Sequence, residues 1–168
     1  MPIDASDYSD LEGGLVRMMN RLKEEGTATK NPDADEFLRE SANAVFLGLL
    51  YDQRILAEVA FIGPLKLKQR LGHLDMKKIA KMDREKFAEV FTEKPAVHRF
   101  SNKMVDLTQE TAQRLVDEYD GDAANIWKEG TNAEVEKRVR EFTGFGPLKA
   151  RKLRMCLYYF GHRDLSEA

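Results

Sequence analysis

The chain has 168 residues, is 42% hydrophobic and 33% charged, and carries a net charge of −2. That length suits one domain, or two small lobes sharing a core, and the composition excludes a disordered chain. No apolar run approaches the roughly 18 to 20 residues of a membrane span, and a single cysteine, Cys156, excludes an intrachain disulfide and a multi-cysteine zinc or iron–sulfur site. The start, Met1-Pro2-Ile3-Asp4, is acidic and lacks a signal-peptide core, so a cytoplasmic protein is expected.

In chain order, residues 6–25 read as a first helix, capped by Ser6 or Ser9, with Leu11, Leu15, Met18, Met19 and Leu22 as its apolar stripe. Gly13 and Gly14 weaken its start. Gly26 to Pro32 is a turn, and Asp33 or Asp35 is positioned to cap the next helix. From Phe37 through Tyr51 the chain is apolar nearly all round, the pattern of a helix buried in the middle of a domain. Asp52-Gln53-Arg54 interrupts it. A third helix spans Ile55 to Leu71, with a kink or break expected at Gly63-Pro64 and a stop at Gly72. Asp75 and Asp83 cap two short helices. Ser101 opens a long helix to about Tyr119, which Asp120-Gly121 stops, and a short helix follows over Asp122 to Trp127.

The last third is the most informative. Ala133, Val135, Val139 and Phe142 recur near helical spacing. Pro147 stands at the first position of a second helix, where its missing N–H costs nothing. Between them lies Gly144-Phe145-Gly146, a tight turn that leaves the amides at the start of the second helix facing outward, with the helix dipole behind them. Such an end binds anions, phosphate above all. Charge follows the same division. Residues 1–40 carry ten acids and five bases, whereas 137–163 carry Lys137, Arg138, Arg140, Lys149, Arg151, Lys152, Arg154 and Arg163 against Glu141 alone. The near-neutral total argues against indiscriminate coating of nucleic acid; the local excess is either a solvated helix face or a basic hairpin that meets a DNA backbone, and the glycine turn in its middle favours the hairpin. No strand-like alternation appears, so the fold class is all-α, one domain with 8–10 helices: an N-terminal helix and linker over 1–30 and a helix-hairpin-helix over 132–160.

Taken together, the buried helix ending in Asp52-Gln53, the segment His98-Arg99-Phe100-Ser101-Asn102-Lys103 before the long helix, and Phe142-Thr-Gly-Phe-Gly-Pro-Leu-Lys-Ala150 resemble the helix-hairpin-helix (HhH-GPD) DNA glycosylase superfamily, which contains endonuclease III and the alkyladenine glycosylases. They are similar in particular to a bacterial subfamily with comparable Asp-Gln, Phe-Ala-Gly-Pro, Leu-His-Arg-Phe and Leu-Pro-Gly-Phe-Gly segments. The resemblance covers roughly residues 40 to 161. It implies double-stranded DNA as the partner, a monomer, a nucleoid-associated location, and a role in base-excision repair. It implies that Gly144, Gly146 and Lys149 offer amides to a DNA phosphate, and that the carbonyls of Arg140, Phe142 and Phe145 hold a monovalent cation, K+ or Na+, bridging to it. Gln53 matches a polar residue near the flipped base, and Lys103 a residue near the hairpin. Phe145, Leu148, Arg151 and Lys152 complete the expected DNA-facing set. Thr143 replaces the family's usual proline, and Pro147 removes one amide from the turn.

Chemistry is less well supplied. A glycosylase extrudes a nucleotide and needs a carboxylate against the positive charge that develops on the sugar. The resemblance places that aspartate shortly after the second hairpin helix, where Asp164 is the candidate catalytic residue, although a solvated tail accounts for it as well. The family's hairpin lysine, which attacks the sugar in bifunctional members, is here Leu148; Lys149 is one residue on, rotated by about 100° on a helix. A bifunctional lyase is therefore not expected. Asp52 with Gln53 either lines a base pocket or caps a helix end. His98 fits a structural hydrogen bond better than a base contact, and His73, His98 and His162 have no metal-ligand spacing. Cys156, Trp127, Tyr158, Tyr159 and Phe160 are expected in or against the core. Two readings stand, a monofunctional or weak glycosylase and a DNA-binding module without the chemistry; a third keeps the fold for protein–protein contact only.

Overall fold

The computed structural model describes residues 14–165. Ten helices and no strand occur among them: α1 Gly14–Glu25, α2 Pro32–Glu40, α3 Ala42–Tyr51, α4 Ala57–Leu71, α5 Met76–Lys81, α6 Arg84–Thr92, α7 Ser101–Tyr119, α8 Ala124–Trp127, α9 Asn132–Arg140 and α10 Pro147–Tyr159. The all-α expectation holds. No helix among the described residues is long and apolar enough to cross a membrane. The caps expected at Ser6 and Ser9, and Leu11 of the first stripe, lie outside the described residues.

The organising element is α3. Every residue from Ala44 to Tyr51 is buried, and α2, α4 and α10 pack around it. The α3–α4 crossing is close: a Cβ added to Gly48 would stand 2.5 Å from the Phe61 ring, nearer than two carbon atoms can approach. On the far side of α4, α6 links to α7, which also carries α5. Arg17 and Arg21 both reach Glu58, at 3.3 and 2.7 Å, and fasten α1 to the start of α4.

Several boundaries depart from the sequence expectation. The apolar run 37–51 is two helices, because Ser41 adopts an extended conformation and its hydroxyl accepts from Ala44 N–H at 3.1 Å. Asn31, rather than Asp33 or Asp35, caps α2; Asp35 is buried and accepts from Thr29 through both its N–H and hydroxyl. Helix α4 runs unbroken through the buried Pro64, its packing against α3 outweighing the proline's lost hydrogen bond. Phe100 rather than Ser101 is the residue before α7; the Ser101 hydroxyl instead donates to His98 O at 2.7 Å. The stops at Gly72 and Asp120-Gly121, all with positive φ, and the caps at Asp75 and Asp83 fall where expected.

Candidate nucleic-acid interface

Helices α9 and α10 form the expected hairpin. Thr131 opens α9 with a full capping box, its hydroxyl accepting from Glu134 N–H while Glu134 reaches back. This satisfies two orphan amides at once. The turn that follows is held from beneath by aromatic packing. The Phe145 ring stacks on Phe46 of α3, 4.5 Å between centroids and 7° from parallel, and Phe142 meets Phe46 edge-on at 4.9 Å. Each such pair contributes roughly 0.5–1.5 kcal/mol beyond simple burial. From α7, Glu110 accepts the Thr143 hydroxyl at 2.7 Å and Arg114 lies over the Phe142 ring.

The two turn glycines have different jobs. Gly144 has φ +93°, and a Cβ there would press on Leu50 Cδ1 at 3.0 Å. Its backbone requires glycine. Gly146 has φ −89° and ψ −175°, which any residue adopts, and a Cβ there meets nothing within 4 Å. The space above Gly146 is open. It precedes α10 without a capping side chain, and among the described residues no acceptor meets the N–H of Gly146, Leu148 or Lys149. With Pro147 contributing no donor, these three amides form the outward-facing end of a 13-residue helix.

The basic residues around the hairpin divide into three groups. Arg138 donates to Ile126 O and Glu129 O, and Arg163 to Trp127 O and Gly130 O, so both hold the fold. Lys137, Arg140 and Arg151 are exposed. Lys149 and Lys152 turn inward. Lys149 Nζ donates to Leu50 O at 2.7 Å, near the C-terminal end of α3, and Lys152 Nζ stands 3.9 Å from Asp52 Oδ2. Gln53 Nε2 shares the Leu50 carbonyl at 3.2 Å, and Lys103 Nζ reaches Gln53 Oε1 at 3.5 Å. Burial pulls the Lys149 ammonium down to about 8, with Asp52 opposing the shift and Lys152 and Lys103 adding to it. Burial likewise raises the Asp52 carboxyl, against the two lysines that lower it.

His98 completes the end of α3. Its Nδ1 accepts from Phe100 N–H at 2.9 Å, so its Nε2 must carry the proton and donate to Tyr51 O, also at 2.9 Å. Burial first, then the charges of Lys149 and Lys103, hold it below the usual imidazole range and hence neutral. The expected set thus comes together in part: Gly144, Phe145, Gly146, Leu148, Lys149 and Arg151 on the hairpin, with Lys152, Gln53 and Lys103 joined to it through Leu50 O and Asp52. Leu148 is 45% exposed.

Asp164 is elsewhere. It is exposed on a tail fixed at the opposite end of α10 by His162 Nε2 against Leu38 O, at 2.6 Å, and by Arg163. A 13-residue helix puts about 20 Å between that end and the hairpin turn. Besides Glu110, Asp52 brings a carboxylate to the hairpin, and its pairing with Lys152 no local sequence pattern reveals, since 100 positions of chain separate them. Of the carbonyls expected to bind a cation, that of Phe142 accepts the Phe145 N–H at 3.2 Å, leaving it a second lone pair; no cluster of three or more His, Cys, Asp or Glu suited to a metal occurs among the described residues. Cys156 and Trp127 are buried, as expected.

No family model, curated protein or solved structure matches the chain.

Proposed function

We propose that the protein binds double-stranded DNA through the first turn of α10, in the manner of the helix-hairpin-helix glycosylases it resembles. The observation that carries this reading is the open N-terminal end of α10: three amides without acceptors, over a glycine that has no steric need to be glycine, flanked by the exposed Arg140 and Arg151. A phosphate oxygen placed there accepts from the amides and sits at the positive end of the helix dipole. A monovalent cation at the hairpin carbonyls belongs to the same reading. Contacts of this kind position the backbone without reading sequence.

The decisive variant is Gly146→Val. Its backbone conformation and the empty space above it leave stability within about 0.5 kcal/mol, while the new side chain stands where phosphate would approach. Losing the charge-assisted contacts weakens duplex binding roughly tenfold or more, about equally for unrelated sequences. Unchanged affinity at low salt in the folded variant overturns the proposal.

A second reading, base excision, is favoured by one observation: Asp52 places a carboxylate in the cluster joined to the hairpin. A lesion panel assayed with the wild type, Asp52→Asn and Asp164→Asn separates the cases. Excision lost in Asp52→Asn and kept in Asp164→Asn assigns the chemistry to the α3 end; no abasic product on any lesion leaves the binding module.

A further inference from the structure

Helix starts in this chain are of two kinds. Side-chain oxygens of Asn31, Ser41, Asp75, Asp83 and Thr131 cap α2, α3, α5, α6 and α9. Helices α4, α7 and α10 begin without a side-chain cap, after Leu56, Phe100 and Gly146. The exposed large hydrophobics among the described residues are Leu56, Val59, Phe100 and Leu148. Each stands at the N-cap or in the first turn of one of those three uncapped helices. At α4 and α7 the apolar side chain occupies the cap position itself, where a polar one would stabilise the helix.

All three starts are held at the C-terminal end of α3. The loop from Asp52 leads directly into α4. His98, two residues before Phe100, donates to Tyr51 O at 2.9 Å, and Lys103 reaches Gln53 Oε1 at 3.5 Å. Lys149, next to Leu148, donates to Leu50 O at 2.7 Å. Exposed cations accompany the apolar groups: Arg54, Lys103, and Arg99, whose guanidinium lies 5.5 Å over the Phe100 ring. Among the described residues no carboxylate pairs with these three. The carboxylates on the same stretches are already met, Asp52 by Lys152, Glu58 by Arg17 and Arg21, and Asp106 by Arg84. The face is therefore apolar and positive at once.

A partner that matches both properties is DNA with open base faces. In a continuous duplex the bases are stacked, so an approaching protein meets phosphates and groove edges, and exposed apolar side chains gain little. Where pairing is interrupted, base faces become available to aromatic and aliphatic side chains while the phosphates keep their charge. We infer that the face formed by the starts of α4, α7 and α10 binds DNA at an interruption of the duplex. The duplex backbone lies on the hairpin, and unpaired bases beside it lie on Phe100, Leu56 and Leu148, with their phosphates against Arg54, Arg99 and Lys103. This rests on the DNA-binding reading and adds to it a substrate class, a junction of double- and single-stranded DNA rather than a continuous duplex.

Fluorescence anisotropy at about 50 mM salt tests it with three probes: a continuous duplex of roughly 20 base pairs, the same duplex with a gap of about four nucleotides in one strand, and the single strand alone. The gapped duplex is expected to bind about tenfold tighter than the continuous one, the gain of one or two stacked bases. The single strand binds more weakly than the gapped duplex, because it brings no duplex backbone to the hairpin; equal affinity for the two overturns the junction. Leu56→Ser/Leu148→Ser and Phe100→Leu are each expected to cut the preference for the gap about fivefold and to leave affinity for the continuous duplex within about twofold. All three positions are exposed, and melting curves matching the wild type show that the variants fold. Equal binding of gapped and continuous duplexes by the wild type overturns the inference and leaves the DNA-binding reading standing, as does a preference unchanged in both variants. Undiminished affinity for the gapped duplex in Gly146→Val overturns the hairpin reading and leaves the base-stacking face. If no probe binds, both fall together.

Discussion

The two ends of α10 are built on opposite plans. At the C-terminal end the donors close onto carbonyls: His162 to Leu38 O, Arg163 to Trp127 O and Gly130 O, and Gly161 N–H to Tyr158 O. At the N-terminal end the side chains turn in and the backbone is left out. Phe145 stacks on Phe46 and Lys149 caps α3, while the amides of Gly146, Leu148 and Lys149 meet no acceptor among the described residues. A helix end without partners costs stability unless water or a ligand satisfies it. The contrast teaches that the open end is a choice of local sequence, since the same helix shows at its other terminus how completely this chain closes one.

The comparison can be broken most strongly at Gly144. Gly144→Val forces a β-branched residue into positive φ and pushes it onto Leu50, so a loss of about 2–4 kcal/mol is expected from strain and overpacking together. Thermal or urea unfolding measures it. Gly146→Val, two residues away, is the opposite case, changing binding and sparing stability; a loss of stability there as large as at Gly144 would erase the distinction between the two glycines. At the closed end, Arg163→Ala removes bonds to two carbonyls and is expected to cost about 1.5–3 kcal/mol with no effect on duplex affinity per folded molecule. An affinity change in that variant would show that the closed end also faces the ligand.

A smaller effect sharpens the role of Lys149. Its folded pKa, about 8, lies below its ordinary value of 10.5. Between those values the unfolded chain binds more protons than the folded one, so this group makes stability rise with pH across that window and contributes no slope below it. The expected gain is of order 1–3 kcal/mol across the window. Cys156 and Tyr51, whose burial raises them, act in the opposite sense above about pH 9. The difference between wild type and Lys149→Met therefore isolates the lysine. Parallel stability curves for the two proteins from pH 7 to about 10.5 would mean that the ammonium is solvated rather than buried against Leu50 O.

Elements whose signals are local were legible. Caps at Asp75 and Asp83, stops at Gly72 and Asp120-Gly121, and the α9–α10 hairpin follow from residues within a few positions of each other. The break at Ser41 was hidden because both sides of it are apolar, and one serine in extended conformation decides it. Pro64 misled in the other direction: a local breaker lost to burial between helices. The candidate site was legible as a list of residues and not as an arrangement. Lys149 and Lys152 read as part of a basic face, yet one caps α3 and the other meets Asp52, while Arg138 and Arg163 are spent on carbonyls.

By itself the sequence determined the helical class, the hairpin and the glycine turn, because periodicity, capping and positive φ are properties of neighbouring residues. Tertiary structure decided which glycine is needed for the fold and which leaves space, which cations face solvent, and that Asp52 meets Lys152 of the hairpin. Those depend on what approaches from elsewhere in the chain: Leu50 beneath Gly144, nothing above Gly146, and Asp52 brought to Lys152 by the packing of α3 on α10.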